Sequence, residues 1–202
     1  MINPGIITIS RQYGSGGRYI GKALAELLKI PFYDHELISL SAKESGFSEE
    51  FFEHADENHG FGISSLLMNL GYSSPSLGLT LNEKIFLIQS KTIQDLAEAG
   101  PCVIVGRCAD FVLRKRTDCT NLFIFSDKES RKKRAISDYG VSKESAMEEI
   151  LKIDKRRANY YSFFTKTKWG IQDNYHLCIN SDSIGLDNCV KLIVSYIEMK
   201  TL

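Results

Sequence analysis

Apolar residues along the chain fall into two patterns. Short solid runs occur at 6–10, 31–33, 102–105, 121–125 and 176–179. Four of them are rich in β-branched or aromatic residues and too short for helices, so the runs read as buried strands. Between them apolar positions recur at helical spacing. Ile20, Leu24, Leu27 and Leu28 fall on one helical face. Leu186, Val190, Ile193, Val194 and Ile197 do the same near the C-terminus. Thr80 and Glu83 have the spacing of a capping box, opening a helix that runs to about Ala99 and stops at Gly100 and Pro101. Ser126 and Glu129 repeat that spacing after the fourth run.

Strand followed by helix, repeated, predicts a parallel sheet covered on both faces, and right-handed crossovers make it a doubly wound α/β domain. The stretch between Tyr33 and Cys102 is too long for a simple crossover. It holds two or three predicted helices and a Gly/Ser-rich segment, 59–78, and reads as a subdomain that covers a substrate.

The first strand runs directly into Gly14-Ser15-Gly16-Gly17 and then into the first helix. Strand, glycine cluster and helix N-terminus is the order that points free backbone N–H groups at an anion. A plain tight turn needs fewer glycines, each of which costs chain entropy. Phosphate binding is therefore the expectation for Gly14, Ser15, Gly16, Gly17, Arg18 and Tyr19.

Composition narrows the setting. The 202 residues carry 25 Lys plus Arg and 25 Asp plus Glu, for a formal net charge of zero. That gives no bulk electrostatic case for nucleic acid or an anionic membrane as partner. No apolar run reaches the roughly 20 residues of a bilayer span. The N-terminus lacks a signal-peptide pattern. The five cysteines include no C-x-x-C pair, so neither a disulfide framework nor a zinc site is expected, and a reducing, cytoplasmic location is. No metal-ligating residue set is expected either; His35 is the only histidine beside the glycine loop and second strand.

Six segments, in order, resemble the cytidylate kinase-like branch of the P-loop nucleoside monophosphate kinases over nearly the whole chain. ITISRQYGSGG resembles the opening strand and phosphate loop. IPFYDHELI resembles the strand-two motif, which reads Asp-Thr-Gly after a Tyr in cytidylate kinases. CVIVGRCADFVL resembles the Gly-Arg-Asp segment, with the acid displaced to Asp110. LFIFSDKESRKKRA resembles strand four and an arginine-rich helix, DKRRANYY the lid helix, and DNYHLCINSDSIGLDNCVKLI the final strand and helix.

The resemblance implies one kinase-like domain over 1–202: a five-stranded parallel sheet of P-loop kinase type with helices on both faces. The core would be 1–34 and 100–202, with a helical acceptor-binding insertion at about 35–99 and a lid at about 140–172. It implies phosphoryl transfer from ATP with Mg2+ to a nucleoside monophosphate, CMP or dCMP, with nucleotide substrates as partners. Arg18, Arg107, Arg156 and Arg157 become catalytic candidates, and Asp34, Arg107 and Asp110 substrate-binding ones. Asp34 reads equally as an N-cap for the helix that follows. The arginines at 156 and 157 read equally as part of a solvated charged face.

The phosphate loop departs from the family pattern. In the ungapped register Gly17 stands where the loop lysine belongs and Arg18 where the magnesium-holding Ser or Thr belongs, although Ser10 and Ser15 are nearby. That leaves two other functions in view: a degenerate nucleotide-binding module without turnover, and a kinase for a different small acceptor.

Overall fold

The computed structural model describes residues 4–34, 37, 39–41 and 80–200. Strand β1 spans Ile6–Arg11, β2 Phe32–Tyr33, β3 Cys102–Val105, β4 Cys119–Phe125 and β5 Leu177–Asn180. They form one parallel sheet in the order β2-β3-β1-β4-β5. The order places β1, which feeds the glycine loop, at the centre. Ligands of open parallel sheets bind beyond the carboxyl ends of the strands, where the order reverses. Here that point lies between β1 and β3.

Helix α1 covers Gly17–Leu28, α2 Leu81–Ala99, α3 Ala109–Val112 and α4 Lys128–Tyr139. Helix α5 covers Ala146–Thr165, α6 Ser181–Ile184 and α7 Leu186–Lys200. One face of the sheet packs on α1 and α7 through Ile7, Ile9, Val103, Val105, Leu24 and Ile193. The other packs Ile6, Cys102 and Ile104 against Ile93 and Ala97 of α2 and Ala109 of α3. Burial of β1, β3 and β4 on both faces explains why they read as solid apolar runs rather than alternating ones. All five cysteines carry free thiols. Among the described residues, no helix is long and apolar enough to cross a membrane.

The strands lie where the apolar runs predict, with shifted ends. β4 begins two residues before the run at 121–125, because Cys119 and Thr120 pair with Ile6 and Ile7. The box at Thr80 forms as expected, with Glu83 N–H donating to Thr80 Oγ1 and Thr80 N–H to Glu83 Oε2. The box at Ser126 does not: α4 starts at Lys128 behind Asp127, with no side-chain cap. Ser126 N–H donates instead to Gln12 Oε1 at 3.3 Å, which ties it to the glycine loop.

Helix α1 keeps Ile20, Leu24 and Leu28 of the expected face on the core. It buries Gly17, Ile20, Gly21, Leu24 and Ala25, while Leu27 is exposed. A Cβ on Gly21 would meet Ile9, Phe32 and Val105 at 3.1–3.2 Å. The bare glycine thus lets the helix lie close to the sheet and turns Leu27 outward. Of the insertion after β2, α2 is described in full. The Gly/Ser-rich segment 59–78, His35 and most of 35–79 lie outside the described residues.

Candidate active site

The glycine loop leaves β1 at Arg11 and enters α1 with Gly16 as N-cap, in the left-handed region and with no side-chain cap. The first amides of α1 therefore have no capping side chain, which suits an anion. The loop is held from behind by side chains of α4 and α5. Tyr13 N–H donates to Asp154 Oδ1 at 2.8 Å. Arg131 Nε donates to the Tyr13 carbonyl at 2.7 Å and its guanidinium pairs with Asp154. Arg134 bonds the Gly14 carbonyl, and Arg157 Nη1 donates to the Arg11 carbonyl at 2.9 Å. Gly14 has φ +76°, and a Cβ there would lie 2.6 Å from the Arg131 carbonyl oxygen, so the loop sits tightly against α4.

Two cavities open beside this loop. One, of about 330 Å³, is lined by Gly14, Gly16, Gly17, Arg18 and Tyr139, among others. The other, of about 410 Å³, reaches under α5 and is lined by Arg107, Arg156, Glu149, Tyr160, Tyr161 and Trp169, among others. Arg11, Tyr13, Asp34 and Arg157 line both. The chain therefore builds two compartments that meet at two arginines and a carboxylate.

Asp34 at the end of β2 is buried, 5% exposed, and pairs with Arg18 Nε at 2.8 Å and Arg11 Nη2 at 3.4 Å. Arg11 packs over Gly106, whose missing side chain leaves room for the guanidinium. Gly106, Arg107 and Cys108 all have positive φ, at +83°, +55° and +54°. A left-handed run through two non-glycine residues costs about 1–2 kcal/mol each. It carries the chain off β3 with Arg107 on the cavity wall.

Arg157 is largely desolvated. Burial, with Arg11 beside it, pulls its guanidinium down to about 9, while Asp154 and Asp34 act in the opposite direction. It remains protonated at neutral pH, and an incoming anion relieves both penalties. Arg156 Nε is buried and has no partner among the described residues.

Asp110 lies behind the cavity rather than on its wall. Burial raises its carboxyl above the usual range, and Tyr161 O–H donates to it at 2.6 Å. Its contribution to the cavity is therefore to hold Tyr161. Burial and the Asp110 charge raise the Tyr161 hydroxyl in turn.

The structure thus brings Arg18, Arg107, Arg156, Arg157 and Asp34 to the two cavities. Gly14, Gly16 and Gly17 line the loop cavity. Ser15 is fully buried; its carbonyl accepts from Ser181 and its own hydroxyl has no partner among the described residues. The Tyr19 side chain turns outward and donates to Asp187 of α7 at 3.1 Å. Sequence reasoning missed Arg11, which reads as the end of a strand. It also missed the loop-holding use of Arg131 and Arg134, which stand in the arginine-rich helix.

Residues 6–183 match the family model described as the cytidylate kinase-like family. The chain belongs to that family. An uncharacterized protein from Eubacterium ventriosum, solved by crystallography, is 29% identical with a TM-score of 0.73, over 96% of this chain and 98% of that one. A shikimate kinase from Bacteroides thetaiotaomicron is 14% identical with a TM-score of 0.54, over 96% of this chain and 98% of that one. A gluconokinase from Sinorhizobium meliloti is also 14% identical with a TM-score of 0.54, over 98% and 94%. No match was found among curated proteins. The fold is that of the P-loop kinases, and family and fold together are those of a kinase-like phosphotransferase.

Proposed function

We propose that this cytidylate kinase-like protein transfers the γ-phosphoryl group of ATP to a nucleoside monophosphate, CMP or dCMP, in the cytoplasm. The observation that carries the reading is the pair of cavities meeting at Arg11, Asp34 and Arg157. The loop cavity, with the uncapped start of α1, suits the phosphates of ATP. The larger cavity suits a nucleoside monophosphate. It carries four arginines against two carboxylates, which favours an anion, and Tyr160, Tyr161 and Trp169 in its lining supply aromatic surface for a base.

Phosphoryl transfer needs positioning and positive charge around the moving group more than covalent chemistry. Arg11 and Arg157 stand at the junction where that charge passes. Arg107 and the open Nε of Arg156 would grip the acceptor phosphate. Helix α5 is the central part of a lid at about 140–172, and its cover over the junction would keep water from the reacting group.

Mg2+ asks for only one or two protein oxygens beside phosphates and water. Asp34, the carboxylate that lines both cavities, would offer it one such oxygen. When bound, the ion supplies charge neutralisation on the phosphate oxygens.

Two observations favour other readings. Several arginines near the loop bond backbone carbonyls, and Arg18 pairs with Asp34, as in a module that binds nucleotide without turnover. The fold is shared with shikimate kinase and gluconokinase, which leaves room for a small hydroxyl acceptor.

A panel of nucleoside monophosphates and small hydroxyl compounds, offered with ATP and Mg2+ and followed by ADP formation, separates the three. ADP formation with CMP or dCMP is the expected result. Turnover with a hydroxyl compound alone would change the acceptor, and ATP binding without ADP formation would favour the module.

A further inference from the structure

The ion pair between Arg18 and Asp34 is lopsided. Asp34 is 5% exposed and lines both cavities, whereas Arg18 is 58% exposed and lines the loop cavity alone of the two. Arg18 is the second residue of α1, at the helix end that favours an anion. Its Nε lies 2.8 Å from Asp34 Oδ2, while Arg11 approaches the other carboxylate oxygen at 3.4 Å. A carboxylate from within the fold thus occupies the guanidinium that faces the loop cavity.

We infer that Asp34 is a positioning residue that holds Arg18 as an internal stand-in for phosphate and releases it when the donor's phosphates enter the loop cavity. The inference rests on the reading of that cavity as the donor site. A phosphate tail carries several negative charges and offers a guanidinium a bidentate partner, whereas Asp34 carries one charge. Moving the Arg18 guanidinium from carboxylate to phosphate sets its charge against the more highly charged partner, and Asp34 keeps Arg11. The exposed Arg18 side chain can swing without disturbing the core. Donor binding is then an exchange of partners, and the lost pair sets a limit on affinity.

Calorimetric titration with ADP in metal-free buffer tests the exchange in the wild type, Asp34→Asn, Arg18→Ala and the double variant. Leaving out Mg2+ matters, because Asp34 is also a candidate oxygen for that ion. Asp34→Asn is expected to bind ADP about fivefold more tightly than the wild type, the scale of one half-exposed ion pair. In the Arg18→Ala background the same change is expected to shift affinity less than about twofold. Unchanged or weaker binding by Asp34→Asn overturns the inference. So does tightening that persists without Arg18, since simple repulsion would then account for it.

ADP binding by none of the four proteins would overturn the donor-site reading itself, which keeps the two failures apart. The wild type alone gives a second measurement that does not depend on the variants folding. The Arg18 Nε–H resonance is expected to move on ADP addition, and an unmoved resonance at saturation contradicts the exchange.

Discussion

Replacing Arg157 with alanine is expected to lower the rate of ADP formation by about 10³-fold or more, with the acceptor at saturation. An arginine that neutralises charge on a transferred phosphoryl group carries effects of that size. Arg157 stands where the two cavities join, is largely desolvated, and sits within electrostatic reach of Arg11, Asp34 and Asp154. Its loss removes a fixed positive charge from a poorly hydrated junction, where water cannot substitute for it. The effect belongs mainly in kcat, because the charge is needed most as the phosphoryl group moves. Arg157→Lys keeps a charge but not the planar fork that reaches the Arg11 carbonyl, so partial recovery is expected. Turnover within a factor of three for Arg157→Ala, in a folded protein, would remove Arg157 from the site.

The largest stability effect belongs to Asp154. Its carboxylate pairs with Arg131, which is 5% exposed on its side chain, and accepts the Tyr13 N–H at 2.8 Å. Asp154→Ala leaves a buried guanidinium without its counter-charge and the Tyr13 N–H without its acceptor. Breaking one side of a buried pair costs about 3–5 kcal/mol. In a domain of this size that corresponds to a fall of about 6–20 °C in thermal midpoint. Because Tyr13 leads into Gly14, the same change is expected to loosen the loop and weaken ADP binding. Asp154→Asn, which keeps an oxygen for Tyr13, should lie between the two. A midpoint within 2 °C of the wild type for Asp154→Ala would show that the pair does not hold the loop.

The pattern of the chain carried the sheet well, because parallel strands buried on both faces are solid apolar runs. The glycine loop was legible for a similar reason: three glycines within four positions answer close approaches, Gly14 to the Arg131 backbone and Gly16 and Gly17 to the Leu186 and Arg11 side chains. Local signals were weaker where a long-range contact competes with them. Ser126 has the spacing of a cap but gives its N–H to Gln12, and Leu27 fits an apolar stripe yet is turned out by the fit of Gly21 against the sheet.

The site was legible in its arginines and less so in their division of labour. Arg107, Arg156 and Arg157 reach the larger cavity, as their strand-end and helix positions suggest. Nothing in a run such as Arg131-Lys132-Lys133-Arg134 marks two members as ligands of loop carbonyls, since backbone acceptors leave no trace in a sequence. Arg11 was hidden because a charged residue at a strand end usually points to solvent. Its role depends on the space above Gly106, ninety-five residues away. The missing loop lysine also has a fuller context. Positive charge at the junction comes from β1 and α5, through Arg11 and Arg157, and Arg18 is held in reserve on Asp34.

The central claim is that the two cavities are halves of one transfer site. A bisubstrate ligand joining adenosine and cytidine through five phosphates would span both and pass Arg11 and Arg157. Calorimetry with that compound tests the claim most directly. The predicted result is one site per chain, with affinity at least about a hundredfold above that for ATP or CMP alone and competition by each. Binding no tighter than ATP, undisturbed by CMP, would contradict it.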